Sequence, residues 1–139
     1  PRIDDAWYSF NDMHAMMAFA GAGRRDLADR LLAVMSRTAA ASTDNGTMTR
    51  TVGLPVQEAI LAFAEGRYGA TVERLAPVKA IAARAGGSHA QRDLLAQTLL
   101  AAAEKSGHYR LARSLLHERL ALKPNSRLNR DWMRRVASA

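Results

Sequence analysis

The side chains with the most chemistry to offer lie in two short stretches, Asn11-Asp12-x-His14 near the start and His89-x-Gln91-Arg92-Asp93 well past the middle. Read as helix, His89 and Asp93 stand one turn apart on one face, so the carboxylate can orient the imidazole, and the Arg92 guanidinium adjoins them. Asn11 and His14 follow Trp7 at helical spacing, which puts them along an apolar stripe where core residues are expected. An acid, two imidazoles and a guanidinium brought together would make a small-ligand or catalytic site. The competing expectation is that these groups cap helices and cross-link neighbouring elements, because buried polar groups must find partners. The second is favoured, since no activated nucleophile, metal-ligand set or phosphate cradle accompanies them. No catalytic residue, metal site or cofactor is therefore assigned, and an enzyme is the less favoured class.

A further polar group is cationic. Between Lys123 and Arg135 the only acid is Asp131, and Arg127, Arg130 and Arg134 share one helical face, a candidate anion site. The whole chain is basic too, at net +7 from 20 Lys and Arg against 13 Asp and Glu, which favours anionic partners. Without a basic tract, and with few aromatics, the charge reads better as a solvated surface, and nucleic acid is not the expected partner. Other motifs dissolve on inspection. Gly21-x-Gly23 follows a helix rather than a strand, so it reads as a helix end and not a phosphate loop. His117-Glu118 has Ala121 where a zinc protease needs its second His. There is no cysteine, which excludes disulfides and thiolate metal sites, and a reducing cytoplasm is the default compartment. No apolar run approaches the roughly 20 residues of a membrane span.

The elements that must position these residues are helices. Asp4 or Asp5 can cap a first helix to about Ala20, with Trp7, Phe10, His14 and Met17 on its stripe and Met13 and Met16 beside it. A second runs from about Asp26 to Ala41, burying Leu27, Leu31, Val34 and Met35. Residues 42–53, polar and turn-rich, read as an exposed, mobile loop. Pro55 then opens a short helix to Glu65, with Ile60 and Phe63 inward. The helix after Gly66 contains Pro77, which should kink it. Ser88 with Gln91 reads as a capping box after Gly86-Gly87. His108 is expected to be exposed.

A repeated spacing runs through these helices. Gly107 is followed by Tyr109, Ala112, Leu116 and Pro124 and preceded by Leu99; Gly66 is followed by Tyr68, Thr71 and Leu75, and Gly23 by Ala28 and Leu32. This resembles the tetratricopeptide-type helical hairpin, though its glycines are separated by 43 and 41 residues against roughly 34 in a plain repeat of that type. Gly107 supplies the left-handed residue of the turn, Tyr109 can wedge between the helices, and Ala112 is small where they cross. Ala103, by contrast, stands where the first repeat has Phe19, so it is expected to tolerate enlargement. Three phrases resemble the tetratricopeptide repeat protein 38 family near its C-terminal end: Phe10-Asn11-Asp12 with His14, the run Gly86-Gly87-Ser88-His89-Ala90-Gln91-Arg92-Asp93, and Leu122-Lys123-Pro124-Asn125-Ser126. The likeness covers nearly the whole chain and implies an all-helical repeat protein, here the C-terminal part of a longer one, as the start at Pro1 without a Met also suggests. It implies no catalytic residue.

The expected fold is therefore all-α, an α-solenoid in one domain: three hairpins at about 4–41, 55–85 and 88–123, and a capping helix at about 127–137 with Leu128, Trp132 and Val136 inward. Three hairpins are about the minimum that can bury one another's faces. The expected function is a scaffold that binds a protein or peptide segment in the groove of its first helices, lined by Asn11, Phe63 and Gln97. The alternatives are a small-molecule or enzymatic site on Asp12, His14, His89, Arg92 and Asp93, and anion binding by the C-terminal arginines. The partner, the pathway and the oligomeric state are not legible from these residues.

Overall fold

Three glycines set the course of the chain. The structure, a computed structural model, describes residues 9–81 and 89–139, with the backbone alone at 9–11. Gly23, Gly66 and Gly107 have φ of 66°, 75° and 76°, the left-handed region that a side chain would strain. At each, the next residue's N–H bonds back to the carbonyl five residues earlier: Arg24 to Phe19, Arg67 to Ala62 and His108 to Ala103, all at 2.8 Å. The glycine N–H takes the carbonyl three residues before it, at 3.1 to 3.2 Å. This paired closure satisfies the carbonyls a helix end leaves over, and it reverses the chain three times in the same way.

Among the described residues the fold is all-helical, with no strand. The helices are α1 (Ser9–Gly21), α2 (Arg25–Ala39), α3 (Asp44–Met48), α4 (Leu54–Ala64), α5 (Tyr68–Val78), α6 (His89–Lys105), α7 (Tyr109–Leu122) and α8 (Arg127–Ala137). Each turn glycine joins two helices that pack together: α1 with α2, α4 with α5, α6 with α7. The residue five after each glycine, Ala28, Thr71 or Ala112, has no exposed surface, as a crossing point requires. Thr71, the largest of the three, is accommodated because its hydroxyl is in hydrogen-bonding reach of the Ala59 and Arg67 carbonyls, both at 3.3 Å. Contacts then follow chain order, with α1 and α2 against α4, α5 against α6, and α7 against α8. One core, including Met16, Met35, Ile60, Leu75, Leu99, Leu116 and Trp132, runs through the whole stack.

Residues 44–53 are helical rather than a loop. Thr43 caps α3 by accepting the Gly46 N–H at 3.0 Å, and α3 passes through a π-helical turn, Thr49–Gly53, into α4 with the backbone helical throughout. Gly46, Thr49, Val52 and Gly53 are buried. Two features of this polar stretch explain the difference. Gly46 lies so close to the end of α2 that a β-carbon would overlap the Ala41 carbonyl oxygen, and Arg50 donates to the Ala39 carbonyl at 2.6 Å. Pro55 has no N–H and would crowd the Thr51 carbonyl in a regular helix; the wider turn just before it, closed by Leu54 N–H to Thr49, relieves that crowding. Pro55 thus stands in the first turn of α4, as expected, but α4 continues a helical run that begins at Asp44.

Other expectations shift by a fraction of a turn. On α1, Met13 and Met16 carry the burial, while His14 is exposed and Met17 only partly covered. On α8, Leu128 is 53% exposed and Asn129 is buried in its place beside Trp132 and Val136. Pro77 falls in the last turn of α5, which ends one residue later. Ala103, like Ala112, has no exposed surface. The expected caps at Asp4, Asp5 and Ser88, the Gly86-Gly87 helix end, and the inward Trp7 lie outside the described residues; Phe10 and Asn11 belong to the backbone of α1.

Candidate functional site

The richest polar region forms where α6 begins. Asp93, one turn into α6, accepts a hydrogen bond from Arg119 Nη1 of α7 at 2.7 Å and another from Gln97 Nε2 at 2.7 Å. Arg119 extends the network through its Nε, which donates to the Asn129 side-chain oxygen on α8 at 3.1 Å. Three helices are thus tied by one guanidinium whose side chain is 13% exposed, against 35% for Asp93. The hydrogen bond from Arg119 holds the Asp93 carboxyl below the usual carboxylate range; desolvation opposes this, while Gln97 and the charges of Arg119 and Lys123 support it.

Beside this network opens a cleft of about 410 Å³. One wall carries His89, Arg92, Asp93 and Ala96 of α6; the others carry Glu118, Arg119 and Leu122 of α7, Lys123 after it, Asn129 of α8, and Lys79 at the end of α5. Lys79 and Glu118 form an ion pair that bridges α5 and α7 at the cleft. A smaller apolar hollow of about 70 Å³, lined by Leu75, Val78, Leu95 and Leu99, shares Lys79, Arg92 and Ala96 with it. Among the described residues, four cations, Lys79, Arg92, Arg119 and Lys123, face two carboxylates, Asp93 and Glu118, a surplus of two positive charges. Such a lining can hold an anion. It is poorly arranged for proton transfer by Asp93, which is ionised and engaged at neutral pH.

The sequence candidates are only partly brought together. His89, Arg92 and Asp93 share the cleft, but Asp93 does not orient His89: the imidazole Nδ1 instead lies 3.2 Å from Arg92 Nη2. His14 meets Gln91, with Nε2 atoms 3.0 Å apart, linking α1 to α6 outside the cleft. Asp12 is buried in the first turn of α1, and desolvation raises its carboxyl pKa. Next to it the buried Gln57 amide, with its nitrogen toward α1, donates to the Asp12 carbonyl at 3.2 Å and accepts the Met13 N–H at 2.9 Å. The Asn11 side chain is outside the described residues. Phe63, expected in a groove, packs edge-on against Tyr68 with ring centroids 5.3 Å apart.

The C-terminal arginines are engaged locally. Arg127 and Arg134 both pair with Asp131, and Arg130 donates to the Pro124 and Asn125 carbonyls at 3.3 Å. Among the described residues no group of His, Asp and Glu could hold a metal, and no helix is long and apolar enough to cross a membrane.

Seven lining residues are not among the site candidates that the sequence offers: Lys79, Ala96, Glu118, Arg119, Leu122, Lys123 and Asn129. Arg119 was detectable in principle, because it continues the buried Ala112, Leu115, Leu116 stripe by a further turn, where a charge must find a partner. Asn129 likewise falls at helical spacing with Trp132 and Val136. Lys79 carried no local signal, since it reaches the cleft only through the packing of α5 on α6. No family model matches this chain, and no solved structure matches it.

Proposed function

We propose that this chain is a protein-binding helical-repeat module: a short α-solenoid of three tetratricopeptide-like hairpins, closed by α8, that holds a segment of another protein. The observation that carries this reading is the open cleft between α5, α6, α7 and α8, walled by long polar side chains and rimmed by Leu122, which is 83% exposed. A cleft of this size lies in the range of ligand pockets, and a mixed cationic and apolar lining suits a peptide better than a wholly apolar ligand. The matching glycine turns and the fully buried crossing residues of the three hairpins support the repeat assignment, as does the resemblance to the tetratricopeptide repeat protein 38 family. The binding place differs from the expected first-helix groove, because Phe63 is taken up against Tyr68 and Gln97 by Asp93.

Site-specific photo-crosslinking tests this. A photoreactive residue replacing Leu122, at the rim, should yield a discrete, saturable protein adduct in extract of the source cells. The same residue replacing the exposed Arg37 of α2 should not. Equal labelling from both positions, or none from position 122, would count against the module.

A further inference from the structure

Resting on the reading of the chain as a segment-binding module, we propose that the segment held in the α5–α8 cleft is acidic, recognised through side-chain carboxylates that flank an apolar residue. Charge complementarity carries the argument. Among the described lining residues Lys79, Arg92, Arg119 and Lys123 outnumber Asp93 and Glu118 by two, so the cleft presents a net positive charge to whatever enters. Arg119 is held by Asp93 and Asn129 through Nη1 and Nε, and this fixes its guanidinium plane at the cleft wall at little further entropic cost. Lys79 and Glu118 are only partly covered, with side-chain exposures of 36% and 54%, so their ion pair is of the weak, solvent-screened kind. An incoming carboxylate can replace Glu118 on Lys79 without breaking a buried contact. Leu122, with the Ala96 surface beside it, offers an apolar patch next to the cations. The outward arginines of α8 are less suited, because Arg127 and Arg134 share the carboxylate of Asp131.

The test is fluorescence anisotropy on the full chain with a labelled peptide, Ser-Glu-Leu-Glu-Asp-Gly, acetylated and amidated so that only side-chain carboxylates carry charge. Controls are the same peptide with Gln and Asn for Glu and Asp, and a single-stranded oligonucleotide. The acidic peptide should bind saturably, and Lys123→Glu should weaken it by about tenfold or more, with affinity falling as salt rises. Arg37→Glu, on the far hairpin, makes the same change of net charge and should leave binding within about twofold. Neutral peptide binding as tightly as the acidic one would overturn the charge argument while leaving the module reading intact. Absence of acidic-peptide binding, alongside a discrete adduct from position 122, would do the same. Loss of both the adduct and peptide binding would remove the module itself. An oligonucleotide binding more tightly than the peptide and depending on Lys123 would replace the acidic segment with a nucleic acid.

Discussion

The two halves of the molecule treat their polar side chains differently. Between α1 and α5 the polar side chains nearest the core bond to backbone, Gln57 to residues 12 and 13 and Thr71 to the Ala59 and Arg67 carbonyls, while pairs such as Arg25 with Glu65 and Arg74 with Glu58 lie at the surface. Between α6 and α8 polar side chains bond to one another, Asp93 with Arg119 and Arg119 with Asn129, and they stand beside open volume. A side chain bonded to backbone serves only the packing that put it there, because its partner cannot move without the helix. A network of side chains can exchange a member for a ligand. The contrast teaches that a cluster's distance from backbone partners, more than its residue types, marks where binding can occur.

The largest effect expected is in the closed half. Gly46→Val adds a branched side chain where even a β-carbon would overlap the Ala41 carbonyl oxygen and meet the Thr38 carbonyl at 2.9 Å. Neither backbone atom can retreat without displacing the end of α2, so the cost should be on the order of 3 kcal/mol or more. Gly21→Ala is the matched control, since nothing lies within 4 Å of a β-carbon there, and it should change stability by less than about 1 kcal/mol. Urea denaturation of both variants measures the difference. Similar midpoints for the two would mean that α3 does not pack against α2 as described.

The same comparison separates what was legible in the sequence from what was not. The glycine turns and the crossing residues Ala28, Thr71 and Ala112 follow from local chemistry, a left-handed residue and a small side chain at fixed spacing, and no distant contact is needed to foresee them. Residues 42–53 look like a loop because Thr43, Asp44, Asn45 and Gly46 are turn formers. Their helix exists because Thr43 caps it, Gly46 allows close approach and Arg50 holds the end of α2, contacts made only in the fold. The candidate site was half visible for the same reason. His89, Arg92 and Asp93 are neighbours in sequence, whereas Lys79, Arg119 and Asn129 arrive on three other segments. The pairing of His89 with Asp93 failed because helical spacing permits a contact without choosing between partners, and Arg119 offers Asp93 the stronger, charged one.

In the open half, Asp93→Ala should lower stability by on the order of 1 to 3 kcal/mol at neutral pH, the cost of leaving a largely buried guanidinium without its charged partner. The loss should depend on pH. Arg119 holds the native carboxyl below its ordinary 3.8, so the contribution is complete above that value and disappears as pH falls through the lowered one. Chemical denaturation of parent and variant at pH 7 and at pH 3 measures it, with the gap narrowing in acid. Overlaying curves at pH 7 would mean that the network contributes no stability and is held for binding alone.

Asp12 gives the smallest effect and one of opposite sign. Burial disfavours its ionised form and raises the carboxyl pKa above 3.8. A raised acid is protonated more readily in the folded chain than in the unfolded one. Its penalty is therefore absent below 3.8 and grows as pH rises through the folded value, complete beyond it. Asp12→Asn removes the charge while keeping the shape, so it should stabilise the protein by on the order of 1 kcal/mol at pH 7, with the gain fading toward pH 3. Melting temperatures across that range decide it. A variant less stable than the parent at pH 7, by an amount that does not shrink in acid, would mean that the Asp12 carboxyl accepts a hydrogen bond the fold needs. The closed half would then hold a polar network of the same kind as the open one.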